Sequence, residues 1–389
     1  MKILQVINAY YPPYSAGGPA IVVHNISKAL AKRGHEVTVY TTNALSKDEL
    51  FQPKKNPNYS NGVKVYYFGN QVYKPSVHIY FSKELVKAIK KAIANYDLVH
   101  LHEYRSYISL VTSYYAKKHN IPHILQAHGS LPRIGSWRRL KWFYDILFGY
   151  RLLRNASRVI ALSRVEADQY RRMGVPEEEI AIIPNGIDLS EYVNLPPKGA
   201  FKRKLGIPED KEVILYLGRI HRIKGIDILV KAYAYLMMKM GYEDAVLVIA
   251  GPDDGFLSEV KSLVQYLGIS RYVIFTGPLY GKEKFGAYAD SDVVVLPSCY
   301  DTFPNVVLEA YACFKPVIAS NIEAIPDIVL QGETGLLFQA GNIRELARAI
   351  TYMLMHPEDA EKMGCNARKL VEEKFYIDKV VTHLEILKI

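Results

Sequence analysis

The stretch Val293–Val329, VVVLPSCYDTFPNVVLEAYACFKPVIASNIEAIPDIV, decides the fold. It opens on an unbroken β-branched apolar run, Val293–Leu296, which reads as a buried strand. Pro297–Pro304 is a loop. A helix is predicted from Val306, capped by Asn305 and carrying Val307, Leu308, Ala310 and Ala312. Pro316–Ser320 is the next strand. The loop of this strand–loop–helix–strand unit lies at the carboxyl end of a parallel strand, where open α/β sheets bind ligands. Asp301 falls in that loop and Glu309 about one turn into the helix, so both acids are expected to face one cleft. Two roles fit them. They complement the helix dipole, or they recognise sugars, since a carboxylate accepts two charge-assisted hydrogen bonds from a vicinal diol. Two such acids on one rim can hold two rings, a ribose and a hexose.

Working back towards the amino terminus, Ala245–Ala250 is a strand ending at GPDDG. Val273–Thr276 is a strand leading to GPLYGKEK and a helix over Phe285–Ala289. Val213–Leu217 is a strand leading to GRIHRIKGID, which places Arg219 and Lys224 five apart in a glycine-flanked loop before a helix over Ile226–Met238. A solvated basic loop and a diphosphate clamp both fit. For a clamp, Arg supplies planar forked donors and Lys a point charge. Downstream of the opening stretch come a hairpin-like edge, Gly332–Phe338, and helices Ile343–Met355, Pro357–Phe375 and Ile377–Leu387. The Pro-rich Leu195–Gly199 marks a domain boundary, giving domains 1–195 and 196–375.

The first domain repeats the alternation. Strands are predicted at Lys2–Asn8, His35–Thr41, Val63–Phe68, Asp97–Leu101, His123–Ala127 and Val159–Ser163, with helices at Ala20–Arg33, Ser82–Ala94, Ile108–Lys118 and Arg164–Met173. That pattern argues a doubly wound α/β domain. Gly17–Gly18 join the first strand to a helix N-terminus, a place that favours phosphate and equally a plain turn. There is no G-x-G-x-x-G and no P-loop lysine. Residues 42–62 read as a mobile polar loop over an acceptor cleft. His128 follows a strand beside Gly129, as a structural hydrogen-bonder or a site residue. Glu103 and Arg105 end the preceding strand on the acceptor side. In Gly135–Asn155, Trp137, Trp142, Phe143, Ile146, Leu147 and Phe148 interleave with Arg138, Arg139, Lys141, Arg151 and Arg154. A membrane-surface contact and a core-packed helix with a basic solvent face both fit. Ile180–Pro184 leads into the turn signal Asn185–Gly186–Ile187–Asp188.

Composition bounds the reading. At 389 residues two domains are expected, and a mean hydropathy of −0.03 fits a soluble globular protein. No stretch approaches the roughly 18 apolar residues of a membrane span, and MKILQVINAYYPP does not read as a signal peptide. Three cysteines without metal spacing fit a reducing cytoplasm. Residues 1–190 carry 26 Lys/Arg and 13 Asp/Glu, whereas residues 191–389 carry 23 and 26. The first half therefore meets something anionic, a phosphate-bearing acceptor, a lipid surface or nucleic acid, or is only kept soluble by its charge. No nucleic-acid recognition motif accompanies it.

These motifs resemble glycosyltransferase family 4. Pro297, Ser298, Asp301, Phe303, Pro304, Asn305, Val306, Glu309, Ala310, Ala312, Cys313, Pro316 and Val317 fit its acidic frame. Gly218-Arg219 with Lys224-Gly225 fits its G-R-x-x-x-x-K-G, and Asn185–Asp188 its N-G-V/I-D. Gly17–Gly18 fit its N-terminal loop and His128 its histidine. The chain departs at Asp301, where the family has Glu, at Phe314, where it has Gly, and at Glu323–Ala324, where Gly-Gly often follows. The resemblance implies the GT-B fold: two Rossmann-like domains facing across a cleft, with a last helix, about 376–389, crossing back to the first. It implies a retaining transfer of a hexosyl group from a UDP- or GDP-linked sugar to a lipid-linked, polysaccharide or other glycan acceptor. No cofactor or metal is called for, and the setting is cytoplasmic, at a membrane surface or free of it. His128, Arg219, Lys224 and Asp301 are the implied catalytic residues. Gly17, Gly18, Arg219, Lys224, Leu279, Lys284, Thr302, Phe303, Pro304, Asn305, Val306 and Glu309 would hold the donor, with Asp301 on the sugar and Glu309 on the ribose. A hydrolase, which also uses two carboxylates, a nucleotide-sugar epimerase of the same fold and a non-catalytic partner subunit remain alternatives.

Overall fold

A computed structural model describes residues 1–10, 17–44, 50–53, 55–71, 80–134 and 137–387. Parts of the 42–62 loop and of the loop before Gly17 lie outside the described residues, as do the first two positions of the 135–155 segment and the last two of the chain. The chain forms two compact units, Met1–Gly186 with Ile377–Ile389, and Ile187–Tyr376.

Unit 1 is built on an eight-stranded sheet. Its strands are β1 (Lys2–Val6), β2 (Glu36–Thr42), β3 (Asn58–Ser60), β4 (Val63–Phe68), β5 (Leu98–His102), β6 (His123–Gln126), β7 (Arg158–Ala161) and β8 (Ile180–Ile182), in the order β3-β4-β2-β1-β5-β6-β7-β8. Every pair is parallel except β3–β4. Unit 2 is an all-parallel sheet of β9 (Glu212–Leu217), β10 (Ala245–Ala250), β11 (Val273–Gly277), β12 (Val293–Leu296), β13 (Val317–Ser320) and β14 (Gly335–Phe338), ordered β11-β10-β9-β12-β13-β14. The continuous apolar strands follow from this layout, because helices cover both faces of a parallel sheet. Residues 245–250 and 293–296 are all buried.

Both sheets have a point where strand order reverses, between β1 and β5 and between β9 and β12. Loops after those strands open at the crevice that such a reversal creates. In unit 2 these are GRIHRIKG, after β9, and PSCYDTFP, after β12. In unit 1 they carry Asn8 and Glu103.

Three readings of the sequence need correction. Gly332–Phe338 is not a hairpin: β14 runs parallel to β13 as an edge strand. The helix after β12 spans Asn305–Ala312 with Pro304 at its N-cap, so Asn305 lies inside the first turn and is not the capping residue. A helix over Leu257–Tyr266 was not predicted; Asp253 starts it by accepting from the amides of Gly255, Phe256 and Leu257. By packing, the compact units divide at Gly186/Ile187, a few residues before the Pro-rich stretch. Buried Asp290 takes the amides of Gly199, Phe201 and Lys202, which fastens that stretch into unit 2. Gly186 is dictated by close approach, since a Cβ there would meet Ile377 and Val380 at 2.9–3.0 Å. No helix among the described residues is long and apolar enough to cross a membrane.

Candidate active site

In unit 2 the two motif loops touch directly. The Cys299 amide donates to the Ile223 carbonyl at 2.8 Å. Gly225, at φ 65°, lies under the next strand's loop so closely that a Cβ would meet the Pro297 carbonyl oxygen at 2.0 Å. A left-handed φ and no room for a side chain together make this position glycine. The approach delivers Lys224 to Asp301, Nζ to Oδ2 at 2.6 Å, with both side chains less than a fifth exposed. Arg219 is half exposed and is held by Asp254 at 2.6 Å, while the Tyr216 hydroxyl fixes the Arg219 carbonyl at 2.8 Å. One turn into the Asn305–Ala312 helix, Glu309 accepts from Lys284 Nζ at 2.9 Å and from the Tyr288 hydroxyl at 2.9 Å.

The expected donor residues thus sort by place. Lys224, Asp301, Arg219 and Glu309 gather on the two loops and the helix that flank the strand reversal. Lys284 lies on the helix Gly281–Asp290 and orients Glu309. Thr302, Phe303 and Pro304 are buried beneath the loop, Phe303 packing edge-on against Phe375 with ring centroids 5.8 Å apart. Asn305 and Val306 are half-buried in the first helical turn, and Leu279 is half-buried in the loop after β11. Phe314 stands at φ 59°, the left-handed conformation a glycine takes without strain, and the Arg368 guanidinium covers its ring at 5.1 Å.

Unit 1 places its polar residues at the carboxyl ends of β1, β5 and β6. His102 ends β5 and bridges Gln5 Oε1, at 2.7 Å, to His128 Nε2, at 2.9 Å. The Gln5 oxygen assigns the protons: His102 Nε2–H donates to it, His102 Nδ1 accepts from His128 Nε2–H, and His128 Nδ1 keeps a lone pair. Burial pushes the pKa of His128 and of His100 down to about 3 and that of His102 well below its usual value, so the rings are neutral at physiological pH. Glu103 accepts from Asn8 Nδ2, and Asn8 Oδ1 accepts from Ser106 at 2.7 Å. Burial pushes Glu103 up to about 7. Glu103 and His128 adopt φ of 74° and 51°. Non-glycine residues in that region cost of order 1–3 kcal/mol each and collect at functional sites. Gly17 is the N-cap of the helix Gly18–Lys32, with Gly18 its first residue.

Arg105, expected on the acceptor side, is committed elsewhere. Its Nε and Nη2 donate to Asp145 at 3.0 and 2.9 Å, and its remaining N–H groups go to the carbonyls of Ser130, Leu131 and Pro132. All five donors are used inside the fold, which leaves none for a ligand.

Four contributors escaped sequence reading: His102, Asp254, Tyr288 and Glu166. Glu166 is fully buried and accepts from the Gly129 and Leu162 amides, both at 2.7 Å, fixing the turn that presents His128. Its signal was present as Ser163-x-x-Glu166, the pattern of a capping box. Ser163 does cap the helix, but the carboxylate turns to the neighbouring strand loop.

The comparisons with known proteins agree with this arrangement. Residues 16–191 match the family model described as Glycosyltransferase Family 4, and residues 197–370 match that of Glycosyl transferases group 1. An uncharacterized glycosyltransferase of Methanocaldococcus jannaschii is 28% identical over 98% of this chain and 96% of its own length. A D-inositol 3-phosphate glycosyltransferase of Kineococcus radiotolerans is 28% identical over 91% of this chain and 86% of its own. Among solved structures, Anabaena HepE in complex with UDP-glucose superposes with a TM-score of 0.78 at 21% identity, covering 100% of this chain and 99% of that one. Two Rossmann-like units, each with a strand reversal, make the GT-B fold. The chain belongs to glycosyltransferase family 4.

Proposed function

We propose that the protein is a retaining hexosyltransferase that takes a UDP- or GDP-linked sugar as donor and a lipid-linked, polysaccharide or other glycan as acceptor. The observation that carries this is the contact between the two motif loops, which joins Lys224 to Asp301 at 2.6 Å beside the strand reversal of unit 2. In this reading Lys224 and Arg219 meet the diphosphate, Asp301 takes the sugar hydroxyls and Glu309 the ribose diol. Anabaena HepE binding UDP-glucose in the same fold supports a nucleotide-sugar donor.

The charge that grows on the leaving diphosphate is stabilised by the two fixed cations. Preorganised donors of this kind usually carry the largest share of catalysis. No metal or other cofactor is required in this scheme. Asp301 and Glu309 orient the donor and do not attack it, and the leaving phosphate takes the acceptor's proton on the face it departs from. His128, neutral and with Nδ1 free to accept a hydrogen bond, serves the sugar or acceptor hydroxyl, with Glu103 on the acceptor side and the Gly17–Gly18 helix start facing the phosphates. The reaction is placed in the cytoplasm.

The test is thermal stabilisation by a panel of nucleotide-diphosphate sugars in the presence of a chelator, for wild type and Lys224→Ala. One donor is expected to raise the melting temperature of the wild type only. Transfer by the variant should fall by about a hundredfold or more, by analogy with loss of an oxyanion donor. A fall below about threefold would remove Lys224 from the scheme. Donor binding without turnover on any acceptor would favour the partner-subunit reading, which the departures at Asp301 and Phe314 keep open.

A further inference from the structure

Unit 1 carries a surface that holds none of the residues proposed for the transfer. Residues 138–155 run through three consecutive helical segments, Arg138–Tyr144, Asp145–Gly149 and Tyr150–Asn155. Asp145, Gly149, Leu152 and Leu153 are buried. The apolar side chains that sequence reading allowed in the core point outward instead. Leu140, Phe143, Ile146 and Leu147 are 56, 54, 48 and 63% exposed, and Trp137 and Trp142 are 61 and 45% exposed. Single exposed apolar residues are ordinary, but a set this dense on one short segment marks an interaction site. Beside it a hollow of about 440 Å³ is lined by Arg133, Arg138, Arg139, Trp142 and Phe143.

The charge along this segment has one sign. Between residues 133 and 154 the chain holds six Lys/Arg and a single acid, Asp145. Asp145 is fully buried and paired with Arg105 and Arg133, so it contributes no negative charge to the surface.

We propose that this face docks unit 1 onto an anionic lipid bilayer. The apolar side chains enter the boundary between headgroups and acyl chains, and the arginine-lined hollow receives lipid phosphates. A bilayer offers an anionic layer and, beneath it, an apolar one, which is what the surface asks for. A second copy of the chain fits worse, because a two-fold contact would set Arg138 and Arg139 against their own copies. Nucleic acid offers phosphate but nothing to cover Leu140, Ile146 and Leu147. The inference stands on this surface alone and does not depend on which donor or acceptor the enzyme uses.

The chain's only two tryptophans, Trp137 and Trp142, lie in this face, so its tryptophan fluorescence, excited selectively over that of tyrosine, reports there and nowhere else. The full chain is titrated with vesicles of phosphatidylcholine alone and of phosphatidylcholine with about 30% phosphatidylglycerol, an anionic fraction large enough to set a surface potential. Anionic vesicles are expected to shift the emission to the blue, brominated acyl chains to quench it, and high salt to weaken both, as the screening length falls from about 10 Å at 0.1 M to 3 Å at 1 M. The double variant Arg138→Gln, Arg139→Gln and the double variant Ile146→Ser, Leu147→Ser should each bind about tenfold more weakly or worse. These side chains are exposed, and unchanged melting temperatures verify that the variants fold. No spectral shift with anionic vesicles, equal binding to neutral ones, or a shift that grows with protein concentration as dimers form would each overturn the proposal.

Discussion

Glu103 is the residue whose environment has the clearest measurable consequence. Its carboxyl is pushed up to about 7 by burial, against an ordinary value of 4.5, although Asn8 donates to it. The folded state therefore keeps a proton that the unfolded chain releases between pH 4.5 and 7. Stability from this group is fully present below pH 4.5 and is lost as the pH rises to 7, by of order 2–3 kcal/mol at 1.36 kcal/mol per pH unit, discounted for partial exposure. Glu103→Gln stays neutral and should flatten that slope. Urea midpoints at pH 5 and pH 8 measure it: the variant should match wild type at pH 5 and exceed it at pH 8. A variant weaker than wild type at both would mean that the Asn8 contact needs the charge. At the same scale, Asp301→Asn separates sugar from nucleotide recognition. It should lower transfer by about a hundredfold, in the range seen when a charge-assisted donor contact is removed, and leave affinity for the free nucleoside diphosphate within threefold. Equal losses in both would place Asp301 on the diphosphate. Asp301, Arg219 and Lys224 were legible in the sequence because each stands in a short loop after a clear strand, and Glu309 because it lies in the helix that follows one of those loops. Their partners were not, since Asp254 and Tyr288 meet them only through the fold, 35 and 21 residues away.

At the scale of elements, strands were the readable part, because parallel strands buried on both faces are runs of Val, Ile and Leu that stand out without periodicity. β4, β10 and β12 fall where the sequence put them. Loops and edges were misread where backbone contacts decide them: Gly335 starts a parallel edge strand, and Asp253 starts a helix by an Asx turn within GPDDG, after which no helix was read. The turn after β6 is the element that presents His128. Buried Glu166 holds its Gly129 amide and the Leu162 amide at once. Glu166→Ala would strand two amides, at about 1–3 kcal/mol for each unsatisfied buried group. A fall in global stability of about 3 kcal/mol is expected from denaturant midpoints, together with slower transfer as His128 loses its support. Binding of the nucleoside diphosphate should change less than twofold, because no residue proposed to hold it is in unit 1 apart from the Gly17–Gly18 turn. A loss of nucleotide affinity as large as the loss of transfer would show that Glu166 acts on the whole molecule and not on this turn.

Seen whole, the molecule is built discontinuously: the chain leaves unit 1 at Gly186, completes unit 2, and returns at Ile377. The family resemblance foretold a returning helix, but not how much of unit 1 depends on it. Ile377, Val380 and Val381 are buried, and Val380 joins a cluster with Ile124, Ile160 and Ile183 beneath β6, β7 and β8. Glu385 receives Arg33 at 2.6 Å and His35 at 2.8 Å, tying the helix to the turn between the Gly18–Lys32 helix and β2. Burying three aliphatic side chains stabilises by roughly 1.5–3 kcal/mol each, a sum on the order of the entire stability of a typical domain. Unit 1 therefore cannot close until the last residues of the chain are available, whereas the strands and helices of unit 2 are complete by Tyr376. Ending the chain at Tyr376 tests this. Hydrogen exchange read peptide by peptide should show protection lost across β5 to β8 and kept across β9 to β13, since local stability follows the cooperative unit and not sequence position. The shortened chain should still bind the donor nucleotide, through unit 2, and transfer nothing. Protection lost equally in both units would mean that they fold as one cooperative body. Protection kept in both would mean that the returning helix is dispensable to the core it covers.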